Sequence, residues 1–309
     1  MRVFLAGATG AIGRRLVPML LDAGHEVLGM TRSAEKASSL RAAGAEPVVC
    51  DALDAAALGD AVLQARPEAV VHELTAIPQQ LNPRRIERDF VLTDRLRTEG
   101  TRNLVAAAQA AGAQRILAQS VAFVYEPDGS GRPHGEEDPL YRDVPKAFRR
   151  TFGAIKELES TVDEAGGTVL RYGYFYGPGT ALAADGSLAA QARRRQLPIV
   201  RGGSGVWSFI HIDDAARATV AALSGPPGIY NVVDDEPAPT REWIPAFCEA
   251  VGARRPMRVP AFVARIAAGT YGALVMTRAE GASNARAKQQ LGWIPEHRTW
   301  REGFRHALD

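Results

Sequence analysis

Cysteine is scarce in this 309-residue sequence, which holds only Cys50 and Cys248, far apart along the chain. Two distant thiols exclude a disulfide framework and favour a reducing, cytoplasmic compartment. The six histidines show no metal-ligand spacing, so we expect no metal site. No apolar run is long enough to span a membrane, and a glycine-rich turn at residues 7–13 interrupts the first run, which argues against a signal peptide.

Excess charge is also lacking, since 37 basic residues nearly balance 35 acidic ones and leave a net charge of +2. That balance gives no bulk attraction to nucleic acid or to an anionic membrane. The short basic runs at residues 149–150 and 193–195 have no interleaved aromatic residues, so we interpret them as solvated helix faces. We therefore expect a small-molecule partner, no nucleic acid and no membrane.

The first thirteen residues carry the strongest pattern in the chain. The apolar run 3–6 predicts a buried strand, and residues 12–23 have the apolar spacing of a helix. Between them, Gly7 allows a sharp turn, Gly10 allows close approach to a pyrophosphate, and Gly13 lets the helix pack on the sheet. We predict a dinucleotide-binding turn rather than an ordinary turn of small residues. Its predicted cofactor contacts are Gly7, Thr9, Gly10, Ala11, Ile12 and Gly13.

Strands and helices alternate after this unit, which predicts an α/β fold, a Rossmann-type doubly wound parallel sheet. The predicted strands are 3–6, 26–32, 46–51, 69–74, 115–120, 168–172, 206–212 and 228–233, and the predicted helices include 33–43, 54–65, 84–111, 148–165, 187–195 and 213–223. We predict a dinucleotide-binding domain over 1–178, to which 206–234 adds a strand and a helix. A smaller C-terminal α/β substrate lobe comprises 179–205 and 235–309.

Six motifs lie at matching places along this pattern: Gly7–Gly13, Asp51–Leu53, Glu99–Leu104, Leu170–Gly179, Phe209–Asp214 and Leu291–Pro295. With them, nearly the whole chain resembles the extended short-chain dehydrogenase/reductase superfamily, in its NAD-dependent epimerase/dehydratase branch. The resemblance implies a dinucleotide-binding Rossmann domain, a small substrate domain and a homodimer. None of these motifs is specific to one substrate.

Residues after the second strand indicate the cofactor. NAD-binding proteins usually carry an acid there for the ribose 2′-hydroxyl, whereas this chain has Thr31, Arg32 and Ser33. A guanidinium suits a 2′-phosphate, so we predict NADP, with NAD as the alternative and an Arg32–Glu35 surface pair as the competing interpretation. The resemblance adds two cofactor-contacting segments, Asp51, Ala52 and Leu53 at the adenine, and Leu74, Thr75 and Ala76 near the pyrophosphate and ribose.

The catalytic pattern of the family is broken here. Its usual Tyr-x-x-x-Lys pair falls on Phe152 and Lys156, its serine on Val121 and its asparagine on Arg97. Lys156 is expected to hold the nicotinamide ribose, but phenylalanine cannot donate a proton. Three explanations stay open: another hydroxyl replaces the tyrosine, the reaction needs no such acid, or the protein binds NADP without catalysis.

Several hydroxyls are candidates for the missing acid. Ser120 and Tyr174 are the first choices, and Tyr125, Tyr172 and Tyr176 are further ones. If the sixth strand persisted, its alternation would place the three tyrosines 172, 174 and 176 on one face; packing roles are the competing interpretation. The resemblance implies that this strand points toward the nicotinamide. It thereby adds Tyr172 and Gly173 to the predicted cofactor contacts, beside Ser120 and Lys156.

The predicted substrate is not a nucleotide sugar, because the Arg-Asp pair common before the Phe-Ile-His motif is replaced by Trp207 and Ser208. Trp207 and the tyrosines suggest a flat substrate, aromatic or polyketide-like, unless Trp207 belongs to the core. We interpret His211 as structural. His134, in the loop 126–145, belongs either to a mobile lid or to a solvated acidic turn, and we favour the turn.

The sequence thus predicts an NAD(P)-dependent oxidoreductase or epimerase/dehydratase that acts on a small carbonyl or alcohol. The alternative is a catalytically inactive NADP-binding sensor or regulatory protein.

Overall fold

The computed structural model describes residues 1–78, 85–306 and 308. The strands are β1 (Arg2–Ala6), β2 (Glu26–Thr31), β3 (Glu46–Val49), β4 (Ala69–His72), β5 (Arg115–Val121), β6 (Thr168–Tyr172), β7 (Tyr174–Tyr176), β8 (Ile199–Val200), β9 (Val206–Trp207), β10 (Phe209–His211), β11 (Gly228–Val232), β12 (Ala238–Pro239) and β13 (Arg258–Val259). The helices are α1 (Gly13–Asp22), α2 (Ala34–Ala42), α3 (Ala55–Ala65), α4 (Ile86–Asp89), α5 (Val91–Arg95), α6 (Thr101–Ala110), α7 (Arg149–Glu164), α8 (Ser187–Arg193), α9 (Ile212–Ala222), α10 (Thr240–Ala250), α11 (Ala261–Arg278), α12 (Ala285–Leu291) and α13 (Trp300–His306).

Seven parallel strands form the central sheet, in the order β11-β6-β5-β4-β1-β2-β3. This confirms the predicted doubly wound α/β fold. Strand β1 shows why the sheet is buried on both faces: Val3 and Leu5 pack in one apolar layer, with α1 and α9, whereas Phe4 and Ala6 pack in the other, with α3, α6 and α7. The strand order reverses between β1 and β4, and ligands bind such sheets at that switch point, beyond the carboxyl ends of the strands.

A second apolar core belongs to the C-terminal part of the chain. Trp243 and Phe247 of α10 pack with Trp300 and Phe304 of α13 around Phe209 of β10. Strand β11 nevertheless joins the main sheet, beside β6. The predicted domain boundaries stay a prediction.

Two elements that were predicted to be continuous are interrupted in the structure, and the first is a strand. The strand predicted over 206–212 is split at Ser208, because β9 pairs with β12 whereas β10 pairs with β7 in another sheet. Helix α9 then begins at Ile212, with His211 as its cap, and not at Asp213.

The helix predicted over 84–111 is also broken in the structure. Residue 84 lies outside the described residues, and α4, α5 and α6 follow with a π-helical turn at Leu96–Gly100 between the last two. π-Helical turns are rare in proteins overall, and those that occur are frequently found at functional sites. Within the described ranges, none of the helices combines the length and apolar character needed to cross a bilayer.

Candidate active site

The glycine turn after β1 has the geometry of a diphosphate cradle. Gly7 has a φ of +98°, and a Cβ there would lie 2.7 Å from the Glu73 carbonyl carbon. A Cβ at Gly13 would lie 2.2 Å from the Gly7 oxygen, so only a glycine at this position lets the start of α1 lie so close to the turn. Gly10 is exposed at the tip, and no side chain caps α1. A bare, uncapped turn of this kind fits the diphosphate of a dinucleotide.

The ends of β2 and β3 form the predicted adenosine end of the site. The buried Thr31 hydroxyl accepts a hydrogen bond from the Ser33 amide at 3.2 Å. The Arg32 guanidinium lies 4.0 Å from the Asp51 carboxylate, so its surface pair is with Asp51 and not with Glu35, the partner in the competing interpretation. Arg32 and Asp51 are both largely exposed, which leaves the arginine free to exchange this weak contact for a phosphate.

The segment after β4 lies beside the glycine turn. The Glu73 amide donates to the Ala6 carbonyl at 2.8 Å, and the Ala76 amide donates to the Thr93 hydroxyl of α5 at 3.0 Å. Leu74, Thr75 and Ala76 therefore pass the carboxyl ends of β1 and β4, as the cofactor prediction requires.

Phe152 and Lys156 of α7 have different surroundings. Phe152 is 5% exposed and packs in an apolar cluster with Val124 and Phe148, while Tyr141 meets its ring edge-on at 6.2 Å. Lys156 is exposed, one helical turn further on, and forms no hydrogen bond or ion pair with the part of the chain that the structure describes. A lysine in this state is available to a ligand.

Ser120 is buried in the interior and does not face an open site. Its hydroxyl is 1% exposed and donates to the Glu159 carboxylate at 2.6 Å. That carboxylate also accepts from Nε and Nη2 of Arg171, at 2.9 and 2.6 Å, and Arg171 donates to the Tyr125 hydroxyl at 2.9 Å. The geometry favours structural roles for Ser120 and Tyr125 over proton donation.

The three tyrosines predicted on one strand face do not share it. Gly173 follows β6, and a Cβ there would lie 2.7 Å from the Ser208 oxygen, so this close approach of the two backbones requires glycine; β7 then continues in a different sheet. Tyr172 is fully buried, with its hydroxyl 2.5 Å from Thr219 Oγ1. Tyr176 is fully buried in the C-terminal core. The strand does not persist, so the condition for one common face is not met: Tyr174 and Tyr176 of β7 pack in the C-terminal core, whereas Tyr172 packs against the main sheet.

Tyr174 alone of the three is partly exposed, and its ring lies in the middle of an aromatic stack. Its partly exposed ring stacks on Phe123 at 4.5 Å and on Trp207 at 3.9 Å. The Trp207 indole nitrogen donates to the Val275 carbonyl, so this ring is held in place from α11. Burial of its hydroxyl raises the pKa of Tyr174 well above the usual value, which keeps the phenol protonated and makes it a weak acid.

The loop 126–145 is anchored, and His134 is not solvated. His134 is 1% exposed and lies between Asp138 Oδ2, at 3.3 Å, and Glu280 Oε2, at 2.8 Å. The Glu136 carboxylate accepts from the Asn231 amide at 2.7 Å. The expectation of a solvated acidic turn was therefore wrong at His134. A cavity of about 610 Å³ lies between this loop and α11, lined by Tyr141, Leu274 and Arg278 among others.

His211 also has a structural place. Its Nδ1 accepts the Asp213 amide and caps α9, and its ring stacks on His297 at 3.8 Å. Ligand atoms of His211, Asp214 and His297 lie within 4.8 Å of one another, a grouping that the sequence spacing did not indicate. The buried Asp214 already accepts the backbone amides of Glu296 and His297.

Arg97 is the site residue that sequence reasoning treated only as a departure from the family pattern. It lies in the π-helical turn, is 4% exposed, and its Nη1 has no hydrogen-bond partner among the described residues. The signal was present in the sequence, because Arg97, Gly100, Thr101 and Leu104 have the spacing of one helix face and all four are buried. A charged residue on such a face needs a partner.

Comparisons with known proteins agree with this geometry. The profile described as "NAD dependent epimerase/dehydratase family" matches residues 3–232. The 3-diazoavenalumate denitrifying reductase of a Streptomyces species is 46% identical, with 98% of this chain and 99% of that protein covered. The 2-alkyl-3-oxoalkanoate reductase of Stenotrophomonas maltophilia is 27% identical, covering 82% and 77%.

Among solved structures, the UDP-glucose 4-epimerase of Thermus thermophilus in complex with NAD is similar over 100% of this chain and 98% of its own, at 25% identity and a TM-score of 0.74. The profile covers well over half of the chain, and the Streptomyces relative covers nearly all of it. This chain therefore belongs to the NAD-dependent epimerase/dehydratase family and is a nicotinamide-dinucleotide-dependent oxidoreductase of that family.

Proposed function

We propose that this protein is an NADP-dependent reductase of a compound whose reduction consumes no proton from the protein, and that its substrate class is an aromatic diazo compound. The observation that carries the proposal is the loss of the family's acid among the described residues: Phe152 stands where the family pattern has its tyrosine, and the Ser120 hydroxyl is bound to Glu159. The phenols of Tyr141, Tyr174 and Tyr271 are poor substitutes as acids, because burial raises the pKa of each. The 46%-identical relative bears the name of a reductase that denitrifies a diazo compound.

The chemistry of a diazonium carbon removes the need for an acid. Reduction of a carbonyl gives an alkoxide, which needs a proton from a nearby group. A bound, reduced dinucleotide supplies a hydride equivalent; when this reaches a diazonium carbon, a C–H bond forms and the C–N bond breaks. Dinitrogen leaves with the C–N electron pair, so charge and atoms balance without a proton.

The residues of this chain would then bind the dinucleotide and the substrate and orient them toward each other. The glycine turn and residues 74–76 hold the dinucleotide, and Lys156 is available to the nicotinamide ribose. Phe123 and Tyr174, which stack on each other and are both partly exposed, would offer the aromatic surface beside which the substrate ring lies. Phe152 and its apolar neighbours exclude water, which would otherwise attack a diazonium group.

The preference for NADP is tested at Arg32. In wild-type protein we expect NADPH to bind at least tenfold more tightly than NADH, because the guanidinium can pair with the 2′-phosphate. Arg32→Ala should bring the two affinities together, as measured by fluorescence titration. Arg41→Ala, on the exposed last turn of α2, is the matched control and should leave the ratio unchanged. Equal affinities in the wild type would contradict NADP specificity.

The reaction is tested with 3-diazoavenalumate and NADPH that carries deuterium at the transferable position. We expect one dinitrogen released per NADPH consumed, and deuterium at the carbon that bore nitrogen. Phe152→Tyr should bring no gain in rate, because no proton is in demand. A large gain with Phe152→Tyr on ketones would indicate a degraded carbonyl reductase instead. Tight NADPH binding without consumption of any substrate would favour the sensor.

A further inference from the structure

Arg97 is a buried cation without a compensating anion. Its side chain makes no hydrogen bond and no ion pair with any residue in the ranges 1–78, 85–306 and 308, although only 4% of it is exposed. An ionised group in such a place loses its hydration and gains nothing in return, which is costly unless a ligand supplies the partner.

The acids around Arg97 are already engaged by other cations. Asp94 Oδ2 accepts from Arg150 Nε at 2.8 Å, while its buried Oδ1 has no hydrogen-bond partner among the described residues. Glu159 is held by both nitrogen contacts of Arg171. These two acids act on Arg97 only from a distance, and burial lowers the pKa of Arg97 to about 10 despite them. Arg97 therefore stays charged at neutral pH while its charge lacks a direct counterpart.

Three phenols lie within electrostatic reach of one another, and one of them, Tyr271, lies within reach of Arg97. The hydroxyls of Tyr141, Tyr174 and Tyr271 have no hydrogen-bond partner among the described residues, and electrostatic interactions link Tyr271 to both others and to Arg97. The Tyr271 ring stacks on Phe148 at 3.9 Å, at the start of α7. A guanidinium and several phenol donors next to aromatic faces form a site for an aromatic anion.

We propose that Arg97 binds the carboxylate of an aromatic acid substrate, with the hydroxyls of Tyr141, Tyr174 and Tyr271 as further donors. The aromatic part of this substrate class rests on the proposed function, whereas the carboxylate is assigned by Arg97 itself. The anionic groups of the dinucleotide are accounted for elsewhere, by the glycine turn and by Arg32 at the ends of β1 and β2. Arg97 is thus a substrate-binding residue and does not take part in the cofactor site.

The test measures the binding of matched carboxylates and amides to the protein saturated with NADP. Calorimetry would compare cinnamate with cinnamamide and benzoate with benzamide, because the members of each pair differ mainly in charge. We expect the wild type to bind at least one carboxylate ten times more tightly than its amide. Arg97→Gln should remove this preference by weakening the carboxylate tenfold or more, and Arg97→Lys should retain part of it.

The control is Arg95→Gln, two residues earlier on the same helical segment, where the arginine is half exposed and pairs with Glu99. It should leave both affinities unchanged. NADPH affinity should be the same in all variants; a loss confined to NADPH in Arg97→Gln would overturn the proposal. If Arg97→Gln fails to fold, the proposal is tested by the carboxylate-over-amide preference of the wild type and by the reduced preference expected for Arg97→Lys. No preference for the carboxylate in either pair, including no binding at all, overturns it.

These outcomes separate the two proposals. A protein that binds carboxylates through Arg97 but does not release dinitrogen from a diazo acid refutes the proposed reaction alone. A protein that reduces a diazo acid and its neutral amide with equal KM refutes the role of Arg97 alone.

Discussion

Glu159→Ala is expected to lower the free energy of unfolding by about 3–5 kcal/mol, because it leaves the Arg171 guanidinium buried without its partner. Arg171 is 2% exposed, and its two nitrogen contacts to Glu159 are 2.6 and 2.9 Å long. The substitution also removes the acceptor of the Ser120 hydroxyl. Chemical denaturation of both proteins at the same pH would measure the loss.

The matched control is Glu157→Ala, on the exposed side of the same helix. Glu157 pairs with Arg102 at the surface, where such pairs contribute about 0–1 kcal/mol. Replacing both Glu159 and Arg171 with methionine should cost much less than the two single changes together, since no unpaired charge stays buried. A loss below about 1 kcal/mol for Glu159→Ala would mean that water reaches Arg171.

This ion pair also fixes the substrate side of the molecule. Arg171 donates to the Tyr125 hydroxyl, which donates to Asn231 Oδ1 at 2.6 Å, and the Asn231 side-chain amide donates to the His134 carbonyl. The chain of contacts therefore runs from the β5–β6 core to the loop that borders the 610 Å³ cavity. We infer that Glu159→Ala, which removes the acceptor of the Arg171 guanidinium, would also weaken the anchoring of this loop.

Sequence reasoning predicted the strand–turn–helix unit of the proposed cofactor side correctly, because local patterns determine it. The strand, the glycine turn and α1 follow one another within residues 2–22, and each part needs only its own spacing of apolar residues and glycines. The place of Arg32 at the end of β2 follows from the same local order. Its partner Asp51 did not, because the pairing depends on how β3 lies beside β2.

The substrate side depends on contacts between distant segments, which periodicity does not reveal. The Ser208 backbone lies against Gly173, and β7 pairs with β10, so the surroundings of Tyr174 depend on a segment much later in the chain. The nearby acids Asp94 and Glu159 likewise pair with Arg150 and Arg171, which come from α7 and β6, and not with Arg97. A single sequence shows that Arg97 falls on a buried face but not that it lacks a partner there.

Glu73→Gln is expected to stabilise the protein increasingly as the pH rises from about 5 to about 8. Glu73 is 4% exposed; its Oε1 accepts from the Tyr172 hydroxyl at 3.2 Å, and its Oε2 has no partner in the described part of the chain. Burial raises the pKa of Glu73 to about 8. The native protein thus holds a proton that the unfolded chain releases near its ordinary pKa of about 4.3.

The sign follows from this difference in bound protons. Between the unfolded and the folded pKa, the wild type loses about 1.4 kcal/mol of stability per pH unit, and the loss ends above the folded pKa. The variant cannot ionise at this position and avoids the decline, whereas Glu35→Gln on the exposed first turn of α2 should show no such trend. Thermal unfolding across this pH range would measure the difference. Parallel curves for wild type and Glu73→Gln would contradict a protonated Glu73.

The same proton bears on the cofactor, because the Glu73 backbone lies against Gly7 of the diphosphate cradle, which brings its buried side chain near this turn. An ionised carboxylate next to this turn would repel a diphosphate. We therefore expect the affinity of the wild type for NADPH to fall as the pH rises through about 8, while Glu73→Gln holds its affinity over the same range. A fluorescence titration at several pH values measures both, and an equal decline in the two proteins would assign the effect to another group.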